Sequence, residues 1–128
     1  MMPSLKFQQT FQAWLDQALS EPIPESVLAF SFNLAEPWCI EVIGAEQYSE
    51  DDPDWACEEA FRPQIGILEL PKAEVGNKWE AVLDVAVELV RAYLERPSTG
   101  SERLQRAIAI EVGFVDGDPV RVWPLSKG

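Results

Sequence analysis

The sequence predicts an α+β domain, an antiparallel or mixed sheet of about five strands with an N-terminal helix and one long helix packed on one face. Three observations predict it. Two stretches repeat their apolar residues at helical spacing. Several short runs alternate apolar and polar residues between Pro and Gly breaks. Their order is αββ-loop-βα(α)ββ rather than a strict strand–helix alternation, which favours helices segregated to one side of a sheet. At 128 residues the chain is large enough for one domain, 1–128, with a core of its own.

Residues 4–19 read as the first helix. Phe7, Phe11, Leu15, Ala18 and Leu19 form one stripe, widened by Trp14, and Pro3 suits a first helical turn. Pro22 and Pro24 prevent its continuation. Residues 27–34 place Leu28, Phe30, Phe32 and Leu34 on one strand face. Residues 38–43 do the same for Trp38, Ile40 and Val42, and the short Ala35-Glu36-Pro37 link predicts a hairpin. Residues 45–63 are irregular in pattern. A helical turn at 53–60 would start at Pro53, with Asp52 as its cap. Residues 65–70 read as a third strand closed by Pro71. Asn77 followed by Glu80 resembles a capping box opening a helix to about Glu95, with Trp79, Val82, Leu83, Ala86, Val90, Tyr93 and Leu94 as its buried stripe. Ser101 would cap a short helical piece, 102–106. Residues 107–115 and 119–123 read as two further strands, joined by an Asp116-Gly117 hairpin turn. Val120 and Val122 would face one way, Arg121 and Trp123 the other.

Charge is the most specific functional signal. The formal net charge is −12, and between Phe7 and Phe61 there are 12 acidic residues and no Lys or Arg. Acids and bases cancel elsewhere. The densest part carries Glu46, Glu50, Asp51, Asp52, Asp54, Glu58 and Glu59, interleaved with Tyr48, Trp55 and Phe61. A one-sided acidic surface suits a basic protein partner and repels nucleic acid and anionic lipid. A solvated loop that only confers solubility is the plainer account. The aromatic residues favour recognition, because solubility has no need of them.

Other chemistry finds little support. The chain has no His, which removes the usual general base, the Ser-His and Cys-His pairs and most zinc sites. Glu58 and Glu59 beside Cys57 disfavour its thiolate. Cys39 and Cys57 have no metal-ligand spacing and read as small apolar residues near the core. The 50–55 stretch lacks the glycine of an EF-hand loop, with Trp55 standing where the sharp turn belongs. No phosphate-binding glycine motif is present. Hence no catalytic residue, cofactor or metal is expected, and no membrane span or signal peptide, which makes the cytoplasm the expected compartment. Phe30, Phe32, Trp38, Trp79 and Tyr93 read as core and not as a ligand cage. Arg91, Arg96, Arg103 and Arg106 read as partners of Glu88, Glu95 and Glu102 on helix surfaces.

Three stretches taken together carry a resemblance: Phe32-Asn33-Leu34-Ala35-Glu36, Asp52-Pro53-Asp54-Trp55-Ala56-Cys57 and Gly113-Phe114-Val115-Asp116-Gly117-Asp118. In this order they resemble a family of small, acidic, uncharacterised bacterial proteins. Some of these look like immunity proteins of polymorphic-toxin or contact-dependent inhibition systems. The resemblance spans residues 28–123, with Ala35 standing where a larger residue is expected. It implies a non-enzymatic inhibitor of a toxin or nuclease domain. On that reading the partner-binding residues are Glu46, Tyr48, Glu50, Asp51, Asp52, Asp54, Trp55, Glu58 and Glu59, with Trp55 or Tyr48 as the buried anchor. The alternatives are a structural or housekeeping domain that self-associates through aromatics such as Trp123, as a homodimer in place of a monomer, and a carboxylate-based hydrolase.

Overall fold

The computed structural model describes residues 3–114 and 117–124. A mixed sheet lies at its centre. Its strands are β1 (Ala29–Ala35), β2 (Cys39–Ala45), β3 (Glu59–Phe61), β4 (Ile67–Glu69), β5 (Ala109–Phe114) and β6 (Val120–Trp123). The order across it is β3-β2-β1-β5-β6, with β4 paired to the other half of β2. β1 is central, antiparallel to β2 and parallel to β5. The helices are α1 (Leu5–Leu19), α2 (Lys72–Val75), α3 (Trp79–Glu95) and α4 (Thr99–Gln105). The α+β class, the mixed sheet and the two principal helices match the sequence expectation.

Alternation along the strands gives the sheet two unlike faces. Phe30, Phe32 and Leu34 of β1, Ile40 and Val42 of β2, and Ile110 and Val112 of β5 pack under α1, α3 and α4. Burying such a side chain contributes about 1.5–3 kcal/mol. The helices meet this face with Phe11, Leu15, Val82, Ala86, Val90 and Leu104. The opposite face carries the small residues Ala29, Ala45 and Ala109, and Trp55 lies over them.

Several boundaries differ from expectation. Ser4 caps α1, accepting from the Phe7 amide at 3.2 Å, so Pro3 precedes the helix rather than opening it. Leu28 lies outside β1 and is exposed. Part of the irregular stretch is a strand, β3. It pairs with β2 across a bulge at Gly44–Ala45, and Phe61 sinks into the core. The third expected strand shrinks to Ile67–Glu69. Lys78, not Asn77, is the residue before α3, and no side chain caps it. Ser98, not Ser101, caps the last helix, accepting from the Ser101 amide at 3.0 Å, so α4 begins three residues earlier than its expected 102–106. Trp79 is 55% exposed, in the first turn of α3 beside Phe114, the last residue of β5. A bulge between Ile110 and Glu111 breaks the simple alternation of β6, and Trp123 is half-buried against the main core. β5 and β6 do pair antiparallel, and the Gly117 amide bonds the Phe114 carbonyl at 3.0 Å. Val115 and Asp116, and with them the type of that turn, lie outside the described residues. Of the expected helix-surface ion pairs, Arg91–Glu88 forms at 3.8 Å. Arg103 instead donates to the Pro24 carbonyl and lies 5.5 Å over the Phe30 ring, and Arg96 donates to Gln12.

Candidate functional site

The acidic segment leaves β2 at Ala45 and returns as β3. Its middle is a 3-10 turn, Pro53–Cys57, and Asp52 caps it by accepting from the Asp54 amide at 3.0 Å. Proline fits the first position of such a turn because no donor is needed there. The capped helical turn is therefore the expected one, shortened at its C-terminal end.

Trp55 fastens this turn to the sheet. Only 4% of it is exposed, and it packs on Ala29, Ala45 and Ala109, whose small side chains leave room for the indole. Tyr48 packs edge-on against Trp55, with ring centroids 5.1 Å apart. Both rings point their polar atoms at Glu111, in the middle of β5. The Tyr48 hydroxyl donates to its carboxylate at 2.8 Å, and the Trp55 indole N–H lies 3.4 Å away. Glu111 is 9% exposed, and a buried carboxylate needs such donors. Burial first, then the hydrogen bond and charge of Glu111, push the Tyr48 hydroxyl up to about 12, while Arg121 acts in the opposite direction. Glu111 was not foreseen as part of this segment. Its signal is a lone carboxylate inside the apolar run Ala107-Ile108-Ala109-Ile110-Glu111-Val112.

The expected aromatic anchors need correction. Trp55 is occupied by the protein's own sheet and Tyr48 is half-buried against it, so neither ring is free to insert into a partner. Both hold the segment in place. The carboxylates remain outside. Glu46, Glu50, Asp51, Asp52, Asp54, Glu58 and Glu59 are all exposed. Some have internal partners. Arg121 pairs with Glu50, and Arg62 pairs with Glu59 at 2.8 Å and with Glu41 at 3.5 Å. Ser26 donates to Glu46, and Gln47 to Glu58. Asp51 and Asp54 have no side-chain hydrogen bond or ion pair among the described residues. An open groove of about 690 Å³ runs between Glu46, Gln47, Glu58, Glu59 and Ala60. The surface is thus a ridge, Asp51 to Asp54, beside a groove walled by three glutamates.

The cysteines are both free. Cys57 ends the 3-10 turn and is exposed, unlike the near-core placement expected of it. Cys39 is half-buried, and burial, followed by the charges of Glu41 and Glu69, raises its pKa. Among the described residues no group of three His, Cys, Asp or Glu converges as a metal site, and no helix is long and apolar enough to cross a membrane.

No protein-family model matches this chain, and no curated protein and no solved structure is significantly similar to it.

Proposed function

We propose that this chain is a non-enzymatic binding protein that holds a basic protein partner against its acidic segment, in the manner of an immunity protein neutralising a toxin or nuclease domain. One observation carries this reading. The 3-10 turn is clamped to the sheet by Trp55, with the carboxylates of Asp51 and Asp54 outside and the Glu46–Glu58–Glu59 groove alongside. An acidic stretch needed only for solubility requires no buried tryptophan and no burial of Glu111. A clamped one presents its charges in fixed positions, which lowers the ordering cost of association. The groove suits an Arg or Lys side chain, and the ridge attracts a basic surface from a distance. The resemblance carried by 28–123 points to the same role. Such a partner calls for a cytoplasmic setting and for no cofactor.

The test begins with the products of adjacent genes, co-expressed with this chain and purified through it. A partner with a basic domain is expected. Association is then followed with a fluorophore on the partner, because Cys57 lies between Asp54 and Glu58 of the surface under test. The variant Asp51→Lys/Asp54→Lys leaves the Asp52 cap in place. It should associate about 10-fold more slowly at low salt and lose most of the salt dependence. Unchanged rates would remove this surface from the interface.

A further inference from the structure

A second concavity lies at the other end of the sheet from the acidic segment. β1 and β5 run parallel and finish together there, with Leu34 opposite Phe114. The β1–β2 turn brings Glu36 and Trp38 to the same place, and α3 begins there with Trp79. Together they wall a cleft of about 790 Å³, whose lining includes Leu83 and Asp118. Its walls are aromatic. Phe114 stands 5.9 Å from Trp38 and 6.3 Å from Trp79, centroid to centroid, with interplanar angles of 67° and 86°. Leu34, 1% exposed, lies at the base.

Two features set this cleft apart from ordinary core. Trp79 is left 55% exposed at its mouth, although buried positions on α3 lie a turn away. The rim is anionic. Glu36 and Asp118 are both exposed, and no described residue lining the cleft is Lys or Arg. The N-terminus of α3 contributes about half a positive charge. The two carboxylates exceed it, and Glu80 in the first turn of the helix opposes it further.

Aromatic faces carry negative charge density and attract cations, and indole does so most strongly. A small, strongly hydrated cation loses too much solvation in an apolar cleft. A neutral apolar molecule would use the rings and leave the carboxylates idle. A cation with an apolar skin uses both. We propose that this cleft binds a free small molecule bearing a quaternary or fully alkylated ammonium group, the ammonium against Trp38 and Trp79 and its charge balanced by Glu36 and Asp118. The volume falls in the range of small-ligand pockets, about 300–1,000 Å³. A phosphate beside the ammonium would meet the same carboxylates, so a phosphocholine head group is disfavoured.

The experiment titrates the whole chain with choline at constant ionic strength, following the five tryptophan indole N–H signals by NMR. Choline should shift the Trp38 and Trp79 signals saturably and leave that of Trp55 in place. The neutral isostere 3,3-dimethyl-1-butanol should bind about 10-fold more weakly, because it lacks the cation–π attraction. Phosphocholine should also bind more weakly than choline. Trp79→Ala, at an exposed position, should keep the amide spectrum of the folded protein and lose the saturable shift. Glu36→Gln with Asp118→Asn should weaken choline several-fold and leave the isostere unchanged. Equal binding of choline and its isostere, tighter binding of phosphocholine, or no saturable shift by about 50 mM choline would overturn the assignment.

Discussion

At the scale of single residues, the acidic segment is governed by one indole and one carboxylate. Trp55 covers the alanine patch, and Glu111 gathers the polar atoms of Trp55 and Tyr48. Truncating a buried tryptophan costs about 3–5 kcal/mol. Trp55→Ala should therefore lower unfolding free energy by about 3 kcal/mol in urea, and amides 46–58 should lose hydrogen-exchange protection while those of β1 retain it. A loss below about 1 kcal/mol would show that the indole does not hold the segment. The tyrosines give a pH test. Tyr48 is raised to about 12, and Tyr93 is raised further by burial and its hydrogen bond to Asp16. In the unfolded chain a tyrosine ionises near 10. The folded state binds these protons more tightly, so their stabilisation is complete below about pH 10 and is lost as pH rises above it, that of Tyr48 between about 10 and 12 and that of Tyr93 later. Tyrosinate absorbance at 295 nm should show no step near pH 10 while the protein is folded. Tyr48→Phe should be less sensitive to alkali between those values. A step near pH 10 equivalent to one tyrosine would contradict the burial of its hydroxyl.

At the scale of elements, legibility followed length and amphipathicity. α1 and α3 were readable because 15 and 17 residues repeat a stripe several times. β1, β2, β5 and β6 were readable from alternation and from the breaks beside them. β3 and α2, of 3 and 4 residues, are too short to show a period, and tertiary pairing creates them. The caps of α3 and α4 were misplaced because several polar residues lie near each start and only the packed backbone selects among them. The site was legible in its charge and not in its anchoring. The acids are visible as composition, whereas the inward turn of Trp55 depends on Ala29, Ala45 and Ala109 from three strands far apart in sequence. The aromatic cleft was hidden for a related reason, since Trp79 fits the apolar stripe of α3 and only the packed structure leaves it exposed beside Phe114. Close contact between α3 and α4 gives a prediction at this scale. Gly100 lies in the first turn of α4, where a Cβ would stand 2.0 Å from the Tyr93 hydroxyl and 3.1 Å from Leu19. Alanine in place of helical glycine normally gains up to about 1 kcal/mol. Here the clash would also disturb the Tyr93–Asp16 hydrogen bond of 2.6 Å, and overpacking costs about 1–3 kcal/mol. Gly100→Ala should lower the melting temperature. A rise would show that α4 can move away freely.

At the scale of the whole molecule, the charge is unbalanced against the chain's own stability. A net charge of −12 on 128 residues repels itself, and the repulsion is concentrated where Asp51, Asp52, Asp54, Glu58 and Glu59 stand together. Internal pairing relieves only part of it, since Arg121 and Arg62 reach Glu50 and Glu59, and Asp51 and Asp54 have no described ion pair. These pairs are exposed, so solvent screens them and they offset little of it. Raising salt from about 0.01 to 0.5 M shortens the screening length from about 30 Å to a few ångströms, which weakens repulsion between exposed carboxylates. Salt should therefore stabilise the free protein, where a chain held by surface ion pairs would lose stability. Asp51→Lys/Asp54→Lys removes a third of the net charge of −12 and spares the Asp52 cap. It should melt at a higher temperature than the parent at low salt and converge with it at high salt. The same variant is expected to associate more slowly with a basic partner, so opposite effects on stability and association would locate the repulsion and the attraction in the same carboxylates. If the variant melts no higher at low salt, the repulsion lies elsewhere, and the ridge carries no stored electrostatic cost for a partner to relieve.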